Sequence, residues 1–312
     1  GLQFSYGIRV DGNALPARYR ADVFFNDVVR PALEKYYPLD GAVSGQTMKT
    51  HWQIAPRLGF VYKPSGTEWT IRGGVGLFTG RILNLWASEI YDVNTSRIDI
   101  SPSLSKFNPD PFNQPSLQSL GIDPVKSNLT VMTRDFKYPV VFRTSINVHK
   151  KLKAGWGFSA ELLVTKNIHE TRYTNINLLP PGKITPSPDI RNVFSTGPEP
   201  EYIAIPAGNP YNTIYLLSNN HGKRGSSYNL SFTINKTIPG KFFFTAAYSL
   251  GRSWVVFEPT TGTSSSGDQW GSIETVNGKN FTGLSISDYD LHHRVYAGIE
   301  KTFAYAKNKS ST

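Results

Sequence analysis

The residues best equipped for chemistry lie near the carboxyl end, where Asp288, Asp290, His292, His293 and Arg294 stand almost side by side. Two carboxylates and two imidazoles at this spacing could ligate a metal or trade protons. On an extended chain, however, Asp288, Asp290, His292 and Arg294 share one face and His293 takes the other. A polar row in which Asp pairs with Arg and His is therefore the plainer expectation. Arg143 and Glu161 belong to the expected interior faces of neighbouring strands and read as a salt bridge, not a catalytic pair. Gly73-Gly74-Val75-Gly76-Leu77-Phe78-Thr79-Gly80 is glycine-rich like a phosphate loop, but it lacks the dinucleotide and Walker spacings and no Lys-Ser or Lys-Thr pair follows. In a strand it reads as bending or close backbone approach. The absence of Cys removes thiol nucleophiles, disulfides and cysteine-bound zinc. No Ser, His and Asp set stands in a recognisable context. The sequons Asn128-Leu129-Thr130 and Asn229-Leu230-Ser231 read as chance. No enzyme activity, catalytic residue, metal ligand or cofactor is expected, and ligand-binding residues are left unassigned.

The elements that hold these residues are β-strands. Tyr228, Leu230, Phe232 and Ile234 alternate with Asn229, Ser231, Thr233 and Asn235, a period of two. Phe242, Phe244, Ala246, Tyr248 and Leu250 follow across Pro239-Gly240 and complete a hairpin. A second hairpin joins Leu58, Phe60 and Tyr62 to Trp69, Ile71, Val75 and Leu77. A third joins Val140, Phe142, Ile146 and Val148 to Trp156, Phe158, Ala160, Leu162 and Val164. Single strands flank them, with Leu2, Phe4, Tyr6 and Ile8 at one end and Leu291, Val295, Ala297, Ile299 and Phe303 at the other. The eight expected strands are 2–9, 53–63, 68–80, 138–151, 156–167, 227–237, 241–252 and 288–303. Several are long enough to cross a bilayer at a tilt.

Short turns alternate strictly with long connections, which run from 10 to 52, 81 to 136, 168 to 226 and 253 to 287. In an up-and-down barrel this order puts every long loop on one rim, the asymmetry of outer-membrane barrels. No apolar stretch reaches the roughly 20 residues of a spanning helix, and alternation hides a spanning strand from average hydropathy. Aromatics at 13% and charged residues at 18% fit the same class. Trp69 and Trp156 directly follow short turns and Tyr62 precedes one, as in a headgroup-level girdle, although strands favour aromatics anyway. The net charge of +10 is dispersed: Lys63, Lys151, Lys153, Lys236 and Lys241 border short turns, Arg57, Arg72 and Arg143 alternate onto lumen faces, and Arg81 and Arg252 mark strand ends. Phosphate-bearing lipid at the rims and a hydrated lumen account for this better than nucleic acid, for which no basic helix or aromatic-basic stripe exists.

In the first long connection Phe24, Phe25, Val28, Val29, Leu33 and Tyr36 have a weak helical spacing, interrupted by Pro31, and a short surface helix is expected. Ser101-Pro102-Ser103, Asn108-Pro109-Asp110-Pro111, Leu179-Pro180-Pro181-Gly182 and the run from Thr261 to Asp268 read as external loops with turn chemistry. The chain opens on Gly1-Leu2-Gln3-Phe4, without Met or signal peptide, as though inside a strand.

Several motifs resemble the barrel of Bacteroidetes TonB-dependent receptors, particularly the Oar-like group. They are Pro56-Arg57-Leu58-Gly59-Phe60-Val61-Tyr62, Arg72 to Arg81, Asp135-Phe136-Lys137-Tyr138-Pro139, Tyr173 to Leu178, Tyr228-Asn229-Leu230, Ala247 to Ser253, and Ser287 to Arg294. The resemblance implies an all-β, antiparallel, up-and-down transmembrane barrel of about 22 strands in the complete protein, plugged from within. It implies a receptor that binds a scarce or bulky ligand outside and passes it inward when TonB, energised by ExbB and ExbD, pulls on the plug. Outer-membrane lipid would surround it. This sequence shows no recognisable plug or TonB box, ends Lys309-Ser310-Ser311-Thr312 without an aromatic closing strand, and carries His at 292 where the family pattern has Arg. It therefore reads as an internal barrel portion, residues 1–312, with ligand contacts in the loops after 10, 81, 168 and 253.

Three alternatives stay open. A complete eight-stranded barrel with a structural or adhesive role would pair residues 2–9 with 288–303. A barrel-embedded hydrolase would need a nucleophile and a base in reach at the loop rim. A soluble glycan-binding sandwich would bury Tyr228, Phe232, Phe242 and Phe244 between two sheets.

Overall fold

The computed structural model describes residues 1–15, 20–46, 48–82, 84–91, 109–114, 126–194, 201–205, 209–258, 265–305 and 309–311. Its strands are β1 (Leu2–Asn13), β2 (His51–Tyr62), β3 (Trp69–Thr79), β4 (Ser127–Met132), β5 (Val140–Lys151), β6 (Trp156–His169), β7 (Thr171–Asn175), β8 (Lys183–Ile184), β9 (Asn192–Val193), β10 (Tyr211–Asn219), β11 (Ser226–Ile238), β12 (Phe242–Val255), β13 (Ser285–Ile286), β14 (His293–Lys301), β15 (Phe303–Tyr305) and β16 (Lys309–Ser311). Helical pieces are α1 (Arg30–Leu33), α2 (Asn84–Tyr91) and α3 (Ser266–Gly271), with a π-helical turn at Phe25–Val29 before α1.

The long strands form one antiparallel sheet in the order β1-β2-β3-β5-β6-β11-β12, with β13 and β14 both on β12. Its register joins the separate alternations into a common face. One row runs Phe4, Phe60, Gly73, Ile146, Leu162, Leu230 and Leu250 across seven strands. Residues paired in register point the same way, so the polar set beside them makes the opposite face. Among the described residues β1 pairs only with β2 and β14 only with β12, so the sheet is open.

Among the described residues the apolar face is left uncovered at its ends: Tyr6 is 89% exposed and Val295 78%. At about 1.5–3 kcal/mol for each large apolar side chain left in water, such a face requires an apolar medium. A sandwich would bury Tyr228, Phe232, Phe242 and Phe244. Here none of them enters a buried cluster and Phe232 keeps 38% of its surface exposed, which overturns that alternative. The face is also the right height. Trp52 and Tyr62 mark its two ends on β2, and ten residues at ~3.4 Å each, tilted by ~40°, rise about 26 Å, close to the ~25 Å apolar band of outer-membrane barrels.

Turn chemistry closes the short connections. Gly155 has φ +77°, and a Cβ there would collide with the carbonyl oxygen of Thr237, so the turn between β5 and β6 admits only glycine. Pairing of β2 with β3 stops at Arg57, beside Pro56, which has no N–H to donate. Gly73 to Gly76 lie inside β3, paired on both sides, as a strand and not a phosphate loop.

The buried core lies elsewhere. Apart from Ala55 and Val140, every buried apolar side chain among the described residues belongs to the four long connections.

Candidate functional site: the long-loop module

The third long connection supplies β7 and β10, and the second supplies β4. They assemble in the order β4-β10-β7, with β10 parallel to β4 and antiparallel to β7. Alternate residues of this small sheet feed two apolar layers. On one side Leu129, Val131, Ile214 and Leu216 pack with Phe25, Val29, Leu33, Leu39 and Ala42 of the first connection. On the other, Met132, Tyr173 and Leu217 meet Met48, Ile82, Ile90, Phe136, Phe257 and Ile273, so all four connections contribute. A sheet covered on both faces has no polar side to display, and its sequence loses the alternation that marks the long strands.

Without it these strands carry no period-two signal in the sequence. The available signal was Ile214-Tyr215-Leu216-Leu217, a continuous apolar run between Pro210 and the turn at Asn219-Asn220. The helix expected around residues 22–36 is a π-helical turn followed by the short α1. Pro31 falls within the continuous helical stretch 23–33, two residues after the π-helical turn ends, and does not break it. Asp110 accepts from Phe112 N at 2.9 Å, the expected turn, and Ser265 caps α3 by accepting from Asp268 N at 2.9 Å. Leu179-Pro180-Pro181-Gly182 is irregular chain, with Leu179 packed against the first cluster, and the motif residues 101–103, 108 and 261–264 lie outside the described residues.

Buried polar groups lock the connections together. Tyr211 donates its hydroxyl to Asp22 at 2.7 Å, while Asp22 accepts from Phe25 N at 3.0 Å. Burial first, and then the Asp22 carboxylate, push the Tyr211 phenol well above its ordinary range. Burial raises Tyr173 and Tyr37 likewise. Asn280 in the fourth connection accepts from Asn175 N at 2.9 Å and Trp270 Nε1 at 2.8 Å, and donates to Asn175 O at 2.7 Å and to Tyr37 Oη at 3.1 Å. Its backbone carbonyl accepts from Arg172, whose burial lowers the guanidinium's pKa. Glu89 of α2 accepts from Ser266 N, linking the second connection to the fourth. Glu170 closes the base of the third, accepting from Gly225 N at 2.8 Å and Asn220 Nδ2 at 3.0 Å.

A cavity of about 290 Å³ opens in the fourth connection between Ile273, Thr275, Asn277, Phe281, Leu284 and Asp288, a mixed apolar and polar lining suited to a small ligand group. Glu258 at its edge is engaged by Ser287 Oγ at 2.6 Å and Asp288 N at 2.8 Å.

The row expected on one face from Asp288 to Arg294 does not form, because β14 begins only at His293. Asp290 sits in a turn, its N–H given to Ser287 O, and its carboxylate accepts from Ser253 N at 2.8 Å and Arg252 Nη1 at 3.2 Å. Its cationic partner is thus Arg252, not Arg294. A short carboxylate that can hold backbone N–H groups competes with the strand ladder, and here it prevails. His292 Nδ1 lies 2.7 Å from Gly251 O, and His293 Nδ1 2.8 Å from Tyr248 Oη. Among the described residues no three His, Asp or Glu converge on a metal position. The expected Arg143–Glu161 salt bridge is also absent. Register sets Arg143 opposite Thr165 and Glu161 opposite Asn147, about 13 Å further along the strand.

At the short-turn rim Trp69 and Trp156 open β3 and β6. Lys150 Nζ lies 4.5 Å from the Trp69 ring and Lys236 Nζ 5.0 Å from the Trp156 ring, each from the neighbouring strand. The rim therefore offers amphipathic rings topped by cations.

A protein-family model described as an outer membrane beta barrel domain matches residues 2–309. No curated protein matches the chain.

Proposed function

Because the chain belongs to the outer membrane beta barrel domain family and resides in the outer membrane, we propose that it is the ligand-capturing and passage-forming part of a TonB-dependent receptor of the Oar-like kind. In this reading the long-loop module binds the ligand, and a gated lumen then passes it without covalent chemistry. TonB, with ExbB and ExbD, acts on a plug within the complete barrel, and outer-membrane lipid covers the apolar face.

The observation that carries the reading is the module itself. Ordering long connections costs about 1–2 kcal/mol per residue in backbone entropy. Two apolar clusters and a set of buried polar pins offset that cost on one rim of the sheet. A fixed surface above a pore loses little freedom on binding, which favours ligand capture. The polar interior face, rich in Ser, Asn, Gly and Arg, provides a hydrated wall beneath it.

Intact cells carrying the gene test the reading. Radiolabelled ferric siderophores, cobalamin, maltodextrins and oligopeptides are offered with and without a protonophore. Uptake of one of these that requires the gene and stops with the protonophore supports it. Gene-dependent uptake indifferent to the protonophore overturns the TonB-dependent mechanism.

A further inference from the structure

We propose that the interior face of β1, β2, β3 and β5 holds an oxyanion site, in which Arg57 and Arg143 clasp a phosphate or carboxylate group of the ligand beside the ring of Phe78. The two arginines come from strands far apart in sequence and meet across Gly76, which pairs with Arg57 on one side and Arg143 on the other. A Cβ at Gly76 would stand 3.0 Å from Arg57 Cγ and 3.0 Å from Pro56 O. Without it, Arg57 lies down across the strand and places Cζ 4.5 Å from the centre of the Phe78 ring. Arg143 Cζ lies 5.8 Å from the same ring.

The open depression around them has a volume of about 430 Å³, within the range of small-ligand sites, and its lining includes the small Ser5, Gly59, Gly74 and Ser145 beside the apolar Leu58 and Val75. Small residues leave the backbone open to a bound group. Neither arginine enters an ion pair among the described residues. Arg143 spends only Nε, donating to Thr165 Oγ1 at 3.3 Å. The carboxylate available on β1, that of Asp11, is already held by Arg9 at 2.8 Å and by Thr79 Oγ1 at 2.6 Å. Two like charges gathered at one ring, both exposed on the open face of the sheet, present a positive surface there. Guanidinium forks match the paired oxygens of phosphate and carboxylate, and the ring offers a flat apolar surface to whatever carries the anion.

The site's place on the ligand's path rests on the receptor reading above, but its existence is tested separately. The full chain, labelled with ¹⁵N-arginine in detergent micelles, is titrated with inorganic phosphate and, in a second series, with citrate at matched ionic strength. Saturable shifts of the Nε–Hε resonances confined to Arg57 and Arg143 are expected. Arg57→Gln or Arg143→Gln should weaken binding about tenfold or more, and Arg57→Lys, which keeps charge but loses the fork, by a smaller factor. Saturation by phosphate alone assigns a phosphoryl ligand, by citrate alone a carboxylate, and by both a general oxyanion site. Shifts that fail to saturate, or that involve Arg9 and Arg72 equally, overturn the site. They would leave the receptor reading intact, since that stands or falls on energised uptake.

Discussion

Placing a charge on either side of β11 separates the two faces of the sheet in a single experiment. Phe232 sits at the middle of β11, six residues from Ser226 and six from Ile238. At ~3.4 Å per residue and ~40° tilt that is about 16 Å from either end, close to the bilayer midplane. Its register partners are Ala160 and Tyr248, neither of which can neutralise a cation. Phe232→Arg removes packing as well as adding charge, so Phe232→Ala is the reference and the difference between the two isolates the cost in hydrocarbon. That difference should be about 2–4 kcal/mol, or roughly 30- to 900-fold in the folding constant. Ser231, one residue away, faces the interior beside Asn229 and Ser249. Arg against Ala at position 231 should differ by less than about 1 kcal/mol. Urea unfolding of the chain in lipid vesicles, followed by tryptophan fluorescence, measures both pairs. Equal penalties at 231 and 232, or a larger one at 231, would refute the assignment of faces and with it the membrane-embedded sheet.

Leu217→Ala, at a fully buried position shared by β10 and the second apolar cluster, should cost about 2–5 kcal/mol; limited proteolysis should then cut the long connections while the heat-modifiable migration of the barrel stays as it was. Asn280→Ala removes hydrogen bonds to three segments at once and should destabilise the module by several kcal/mol, on the order of 1–3 for each buried group left unpaired, with hydrogen exchange at Asn175 N–H as the readout. Alkaline pH should loosen the module. Tyr173 and Tyr211 hold their protons more tightly folded than unfolded, so below pH ~10 their contribution is complete, and it falls as the pH rises above that value and the unfolded state releases protons first. Absorbance at 295 nm should show these two tyrosines ionising only as the module opens, and Tyr211→Phe should remove part of the pH dependence.

Much of this molecule is written in nearest-neighbour order. Alternation along a strand assigns each side chain to a face before any partner is known, because the backbone turns over at every residue. The runs from Tyr228 to Ile234 and from Phe242 to Leu250 therefore specify an apolar and a polar side on their own, and Pro239-Gly240 specifies that they fold together. The strict alternation of short and long connections assigns the rims for the same local reason.

Tertiary structure decided what depends on who stands opposite whom. Register placed Arg57 and Arg143 around Phe78 and kept Arg143 away from Glu161, a matter of pairing that neither strand carries alone. Asp290 chose Arg252 and the Ser253 N–H because its turn, not a strand, brought them into reach. The module of β4, β10 and β7 stayed hidden in the sequence since a sheet buried on both faces has no alternation to read, and its layers come from connections more than a hundred residues apart. Period is a property of one strand, whereas a site is a property of several, and only the folded chain supplies the distances between them.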